Sequence, residues 1–141
     1  AAGGITSSRD DHWKTRLLEF KSSLCMGIGF ASVSTQSGDG ATFDENSGQV
    51  ETGSSWLSVL SMTGIFGFSV FVLLFVRAFG QLKKVGHNDL CHASYLSALL
   101  IFWCCHMVAE GYIFAAGSFL FFNVWLLLGC INSYVANLRK G

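Results

Sequence analysis

Three stretches of this chain carry no Asp, Glu, Lys or Arg: residues 52–76, 90–109 and 111–138, which are 25, 20 and 28 residues long. Each is dense in Leu, Phe, Val, Ile and Trp, and none shows the strict apolar–polar alternation of a half-buried strand. A bilayer core about 30 Å thick takes roughly 20 apolar helical residues to cross. The pattern therefore predicts three transmembrane helices, over about 55–76, 91–108 and 118–135. A soluble all-α domain has room for one buried helix of this kind, but not for three in succession.

The region ahead of the spans has a different rhythm. Ser7 and Ser8 followed by Asp10 and Asp11 read as a helix start, with a hydroxyl cap and acids in the first turn. Trp13, Leu17, Phe20 and Leu24 then recur at spacings of 4, 3 and 4, with Lys14, Arg16 and Lys21 on the opposite side. This is the pattern of an amphipathic helix of about 15 residues, suited to lie along a membrane surface or on top of a helix bundle. Gly27-Ile28-Gly29 ends it as a turn. With no third glycine and no βαβ context, it is not a nucleotide fingerprint. Residues 32–55 are Ser, Thr, Gly, Asp, Asn and Gln with few apolar positions, which predicts a flexible loop. In the first span, Gly64-x-x-Gly67 offers a small-residue face to another helix. The expected architecture is an all-α membrane protein: an external amphipathic helix and loop over 1–54, then a three-span region over 55–141.

Charge sets the orientation. Formal net charge is zero, but residues 1–55 hold four basic and seven acidic side chains, whereas the later links are basic: Arg77, Lys83 and Lys84, then Arg139 and Lys140. The positive-inside rule places those links in the cytoplasm, so 1–54 and the turn near 110–117 lie outside. The chain opens without a basic start and apolar stretch, and its first Met is Met26, so we expect the C-terminal piece of a longer membrane protein. The five cysteines show no C-x-x-C spacing and read as free, small apolar residues rather than a metal or disulfide site. No basic patch with interleaved aromatics points to nucleic acid.

Few residues have the chemistry for a site. Glu110 lies between two apolar runs, so it either faces a polar cavity or cationic partner or caps the hairpin at the water interface. His106, one turn earlier, carries the same ambiguity. Arg9 and Arg16 on the first helix have the forked donors that suit a phosphate or pyrophosphate.

The stretch SSRDDHWKTRLLEFKSSLCMGIGFASV resembles a segment of the O-antigen ligase and polymerase superfamily that reads roughly [ST]-G-R-x(3)-W, an amphipathic helix, then G-x-G. The later ETGSSWLSVLSMTGIFGFSVFVLLF resembles that family's H-N-x-[YF]-L-x-x-L-x-x-x-G-x-x-G, which enters the next transmembrane helix. Order and spacing agree over about residues 7–80, and the last two spans agree by hydropathy. The resemblance implies a polytopic bacterial inner-membrane glycosyltransferase that transfers or polymerises undecaprenyl-pyrophosphate-linked glycans without cofactor or metal. By position, Arg9 would bind the anion, with Trp13 supporting the helix. Where ligases have His-Asn, this chain has Gly53-Ser54. His87-Asn88 looks like the missing pair, but the charge map puts it on the cytoplasmic side.

Glu51, three residues before Ser54, is then the nearest proton acceptor for a sugar hydroxyl. The candidate catalytic residues are Glu51 and Glu110, and the candidate substrate-binding residues are Arg9, Arg16, Trp13 and Trp56, with no metal ligands. Expected partners are the polyprenyl-pyrophosphate-linked glycan, membrane lipid and the remaining transmembrane helices of a parent chain. The alternative of another class is a non-catalytic membrane subunit or transporter fragment whose external loop binds a partner.

Overall fold

The computed structural model describes residues 5–29, 43–44, 49–50, 53–86 and 89–138, with side chains described for 12–29, 53–86 and 89–138. The fold is all-α: α1 (Ile5–Ser22), a two-residue antiparallel pair β1 (Phe43–Asp44) and β2 (Gln49–Val50), then α2 (Ser55–Val85), α3 (Leu90–Ala109) and α4 (Phe119–Leu138). The last three helices are long and apolar enough to cross a membrane. α3 and α4 match the predicted second and third spans to within a turn. The polar stretch expected as a loop contains the small β pair.

α2 departs most from expectation. It runs to Val85 rather than 76, and it is not one straight helix, because Gly64 sits inside it at φ 66, ψ −169. That backbone region is essentially reserved for glycine. Residues 56 and 75 would lie about 28 Å apart along a continuous helix, yet the Trp56 and Phe75 rings are 5.6 Å apart between centroids. The helix therefore folds back sharply at Gly64. Its first part, 55–63, lies against its second part, 65–85, which at about 31 Å is long enough to cross the bilayer core on its own.

A break inside a helix frees carbonyls and amides that must find partners elsewhere. The glycine turn after α1 supplies the partners. Ile28 N–H donates to the Ser61 carbonyl at 2.9 Å and Gly29 N–H to the Met62 carbonyl at 3.0 Å, while Ile65 N–H donates to the Leu24 carbonyl at 2.9 Å. The two backbones are pressed together at Gly27 (φ 71) and Gly64: a Cβ on either would overlap the backbone of the other segment. Gly64 thus serves a backbone–backbone junction with a loop, not the helix–helix approach its spacing suggested. Gly67 faces Thr63 of its own helix, whose hydroxyl donates to the Val59 carbonyl at 2.7 Å just before the break.

α1 also packs differently from its pattern. Among its described side chains His12, Arg16 and Glu19 are buried, whereas Leu17 and Leu18, and Leu24 just beyond the helix, are exposed, Leu18 by 61%. The expected apolar stripe is thus split, with Trp13 and Phe20 half-buried and Leu17 and Leu24 exposed, and Arg16 turns inward instead of outward. Gly53 lies against His12 and Leu24 bonds Ile65, so α1 runs alongside 53–65 in the same direction. The exposed side of α1 is mixed, with Lys14 and Lys21 beside Leu17 and Leu18.

The bundle core is built from seams at helical spacing. Phe71, Phe75, Ala78, Leu82 and Val85 of α2 pack with Leu100 and Met107 of α3 and with Val124, Leu127, Ile131 and Val135 of α4. Outside this core, Phe66, Val70 and Leu73 of α2, Phe102 of α3 and Phe122 of α4 are exposed, as expected of a lipid-facing surface. We predict that Gly64→Ala destabilises the detergent-solubilised protein by at least about 2 kcal/mol, read as a lower thermal midpoint, because the positive φ and the Cys25 carbonyl both oppose a side chain.

Candidate functional site

Where α2 begins, three consecutive residues join it to the end of α3. Ser54 Oγ donates to the Met107 carbonyl at 3.2 Å, and Trp56 Nε1 donates to the Cys104 carbonyl at 3.0 Å. Between them, Ser55 donates twice to the Glu110 carbonyl, from N at 3.0 Å and from Oγ at 2.7 Å. Its Oγ also accepts from Tyr112 N at 3.1 Å and Ile113 N at 3.3 Å. A hydroxyl has one proton to give and two lone pairs to offer, so Ser55 is fully used. The bonds to Met107 and Glu110 meet carbonyls at the end of α3 that have no partners within the helix, and those at Ser55 fix the turn into α4.

Next to this junction lies the polar seam between α1 and α2. Arg16 Nη1 and Glu19 Oε2 form a 2.7 Å ion pair, with side chains 0% and 1% exposed. At the opening of α2, Ser54, Ser55, Ser58 and Ser61 are all buried. Ser58 Oγ donates to the Ser54 carbonyl at 2.7 Å and Ser61 Oγ to the Ser58 carbonyl at 3.3 Å. Trp13 Nε1 and Glu19 Oε1 are buried with no hydrogen-bond partner among the described residues. A buried, hydrogen-bonded ion pair is costly to break, because removing one partner leaves the other charge desolvated.

An aromatic layer closes the junction. Trp56 contacts Phe68, Phe71 and Phe75 at centroid distances of 6.1, 5.4 and 5.6 Å. On α3, His106 lies 5.7 Å from both the Phe102 and Trp103 rings, and its Nδ1 is 3.3 Å from the Tyr112 hydroxyl. Burial pushes the Tyr112 phenol up to about 12, with Cys104 and Glu110 adding to the shift.

No family model, curated protein or solved structure matches the chain.

The sequence-selected residues divide by position. Arg9 lies within α1, but its side chain is outside the described residues, as is all of Glu51. Arg16 is buried and bound to Glu19, so its charge is held within the seam. Trp13 is half-buried on the same helix, beside the Gly53 backbone. Trp56 has its indole N–H and its ring committed to protein contacts. The Glu110 side chain is exposed, and it is the residue's carbonyl that ties α3 to Ser55. Trp56 and Glu110 thus meet at the α2–α3 junction, and Trp13 and Arg16 at the α1–α2 seam. His106 turns to the loop after its own helix rather than to a neighbouring span.

Sequence reasoning missed Glu19, His12 and the serines. Their signal was present as spacing: 12, 16 and 19 on one helix, and 54, 55, 58 and 61 on the next, share faces at intervals of three and four. All five cysteines are free thiols.

We expect Ser55→Ala to cost about 2 to 4 kcal/mol, as it strands two buried amides; urea unfolding in mild detergent measures this. Tyr112 gives a separate test. Because its phenol is raised in the folded state, the stability it contributes is complete below pH 10 and is lost as pH rises through about 12. Tyr112→Phe should remove the tyrosinate absorbance step near pH 12 and flatten the fall in stability above pH 10.

Proposed function

We propose that the chain is the C-terminal part of an O-antigen polymerase- or ligase-like enzyme that transfers glycans from a polyprenyl pyrophosphate carrier at the outer face of a bacterial inner membrane. The observation that carries this reading is the meeting of the two family-like segments. The Arg/Trp helix with its G-x-G turn and the span bearing Gly64-x-x-Gly67 are joined by three backbone hydrogen bonds at Gly27 and Gly64. Segments that resemble successive motifs of one family form one unit here, at the end of the bundle assigned outward by charge.

In this reading the glycosidic bond between the sugar and the pyrophosphate breaks, and a new bond forms to an acceptor hydroxyl whose proton passes to Glu51. Arg9 stabilises the charge developing on the leaving polyprenyl pyrophosphate. Helical register puts position 9 two turns before Arg16, on the face that also carries positions 12 and 19. Arg16 and Glu19 are paired within α1, and it is the burial of that paired face that sets the roll of the helix, so they are positioning residues. Exposed Glu110 lies at the same end and orients the acceptor. Further transmembrane helices of the parent chain complete the cavity.

Arg9→Ala and Glu51→Ala, made separately in the full-length protein, test this. The expected result is loss of long surface glycan on a gel at normal membrane protein level. An unchanged glycan ladder would contradict the catalytic assignment and favour a non-catalytic membrane subunit.

A further inference from the structure

At the opposite end of the bundle, α2 and α3 do not close on each other. They leave a groove of about 610 Å³ whose lining includes Gly80, Lys83 and Gly86 of α2 and Ala93, Ser97 and Ile101 of α3. The walls are mostly apolar, and of the two serines among them Ser97 turns its hydroxyl back to the Ala93 carbonyl at 2.7 Å. Gly80 keeps the groove open: a side chain there would meet nothing within 4 Å. Leu90 to Ile101 along α3 gives the groove a length of about 16 Å, from the helix end toward mid-bilayer.

One charged residue lines this groove. Lys83 is exposed and makes no ion pair among the described residues, and Lys84 beside it is also exposed. Asp89, the acid at this end, is already engaged: its carboxylate accepts from His92 N at 3.3 Å and lies 2.8 Å from His92 Nδ1. The His92 N–H, chief among its contacts, holds the Asp89 carboxyl below its ordinary value.

We propose that this groove holds one anionic phospholipid of the surrounding bilayer, its phosphodiester on Lys83 and an acyl chain along the groove toward Ile101. Basic positions between helices at the cytoplasmic side recognise anionic headgroups, and a lysine at a helix end reaches the headgroup layer on its aliphatic stem. A transmembrane helix seated in the same groove would force the Lys83 ammonium against apolar surface, at a high cost in lipid. A lipid leaves that charge in the interface and gives it a partner. The site is at the far end from the glycan-transfer reading and does not rest on it.

The test is native mass spectrometry of the full-length protein extracted from vesicles of equal phosphatidylglycerol and phosphatidylcholine. The wild type should retain one phosphatidylglycerol in preference to phosphatidylcholine. Lys83→Gln should lower that retention about fivefold, as expected for one surface lysine. Gly80→Leu, which enters open space and favours helix, should abolish it at unchanged circular dichroism. Equal retention of the two lipids, undiminished phosphatidylglycerol on either variant, or a second copy of the chain in place of lipid would overturn the proposal.

Discussion

The backbone exchange between the glycine turn and the broken α2 is the constraint from which the rest of the structure follows. In a bilayer, every peptide group that leaves a helix must find a partner in the protein. Breaking α2 at Gly64 frees the Ser61 and Met62 carbonyls and the Ile65 amide, and the 24–29 segment meets all three. The two backbones can come this close only because Gly27 and Gly64 lack side chains. The break and the turn are thus mutually dependent.

From that junction two consequences spread outward. Folding 55–63 back brings Trp56 onto the Phe68, Phe71 and Phe75 rings and sets Ser54 and Ser55 against the end of α3. It also lays α1 beside the buried serines, where its Arg16–Glu19 pair is sheltered. In water a helix buries leucines and exposes arginines. Here Arg16 is buried with Glu19 while Leu17 and Leu18 are exposed, and a buried charge is tolerated only when it is paired.

The parts of this fold that depend on composition over long windows were legible in the sequence. Gaps between charges located α3 and α4 to within a turn, since hydrocarbon tolerates few ionised groups along a span. What escaped depends on conformation at single residues. Gly64-x-x-Gly67 has the same letters whether it packs a helix or breaks one, and only its φ of 66 decides between them. The amphipathic pattern of α1 locates the helix but puts Arg16 on its polar outer face, whereas the structure buries it against Glu19. Of the candidate site, Trp56 and Glu110 fall at the α2–α3 junction and Trp13 and Arg16 at the α1–α2 seam, but the bonds that define these places come from Ser54, Ser55 and Glu19. A small hydroxyl in an apolar run is a weak mark until its neighbours are known.

The fold-back at Gly64 is the central claim, and aromatic nuclear Overhauser effects in detergent micelles test it without altering the protein. A fold-back at Gly64 gives cross-peaks between the Trp56 indole and the Phe71 and Phe75 rings, whose centroids lie 5.4 and 5.6 Å away. A continuous helix would hold Trp56 and Phe75 about 28 Å apart, and the absence of those cross-peaks, with both rings assigned, would contradict it.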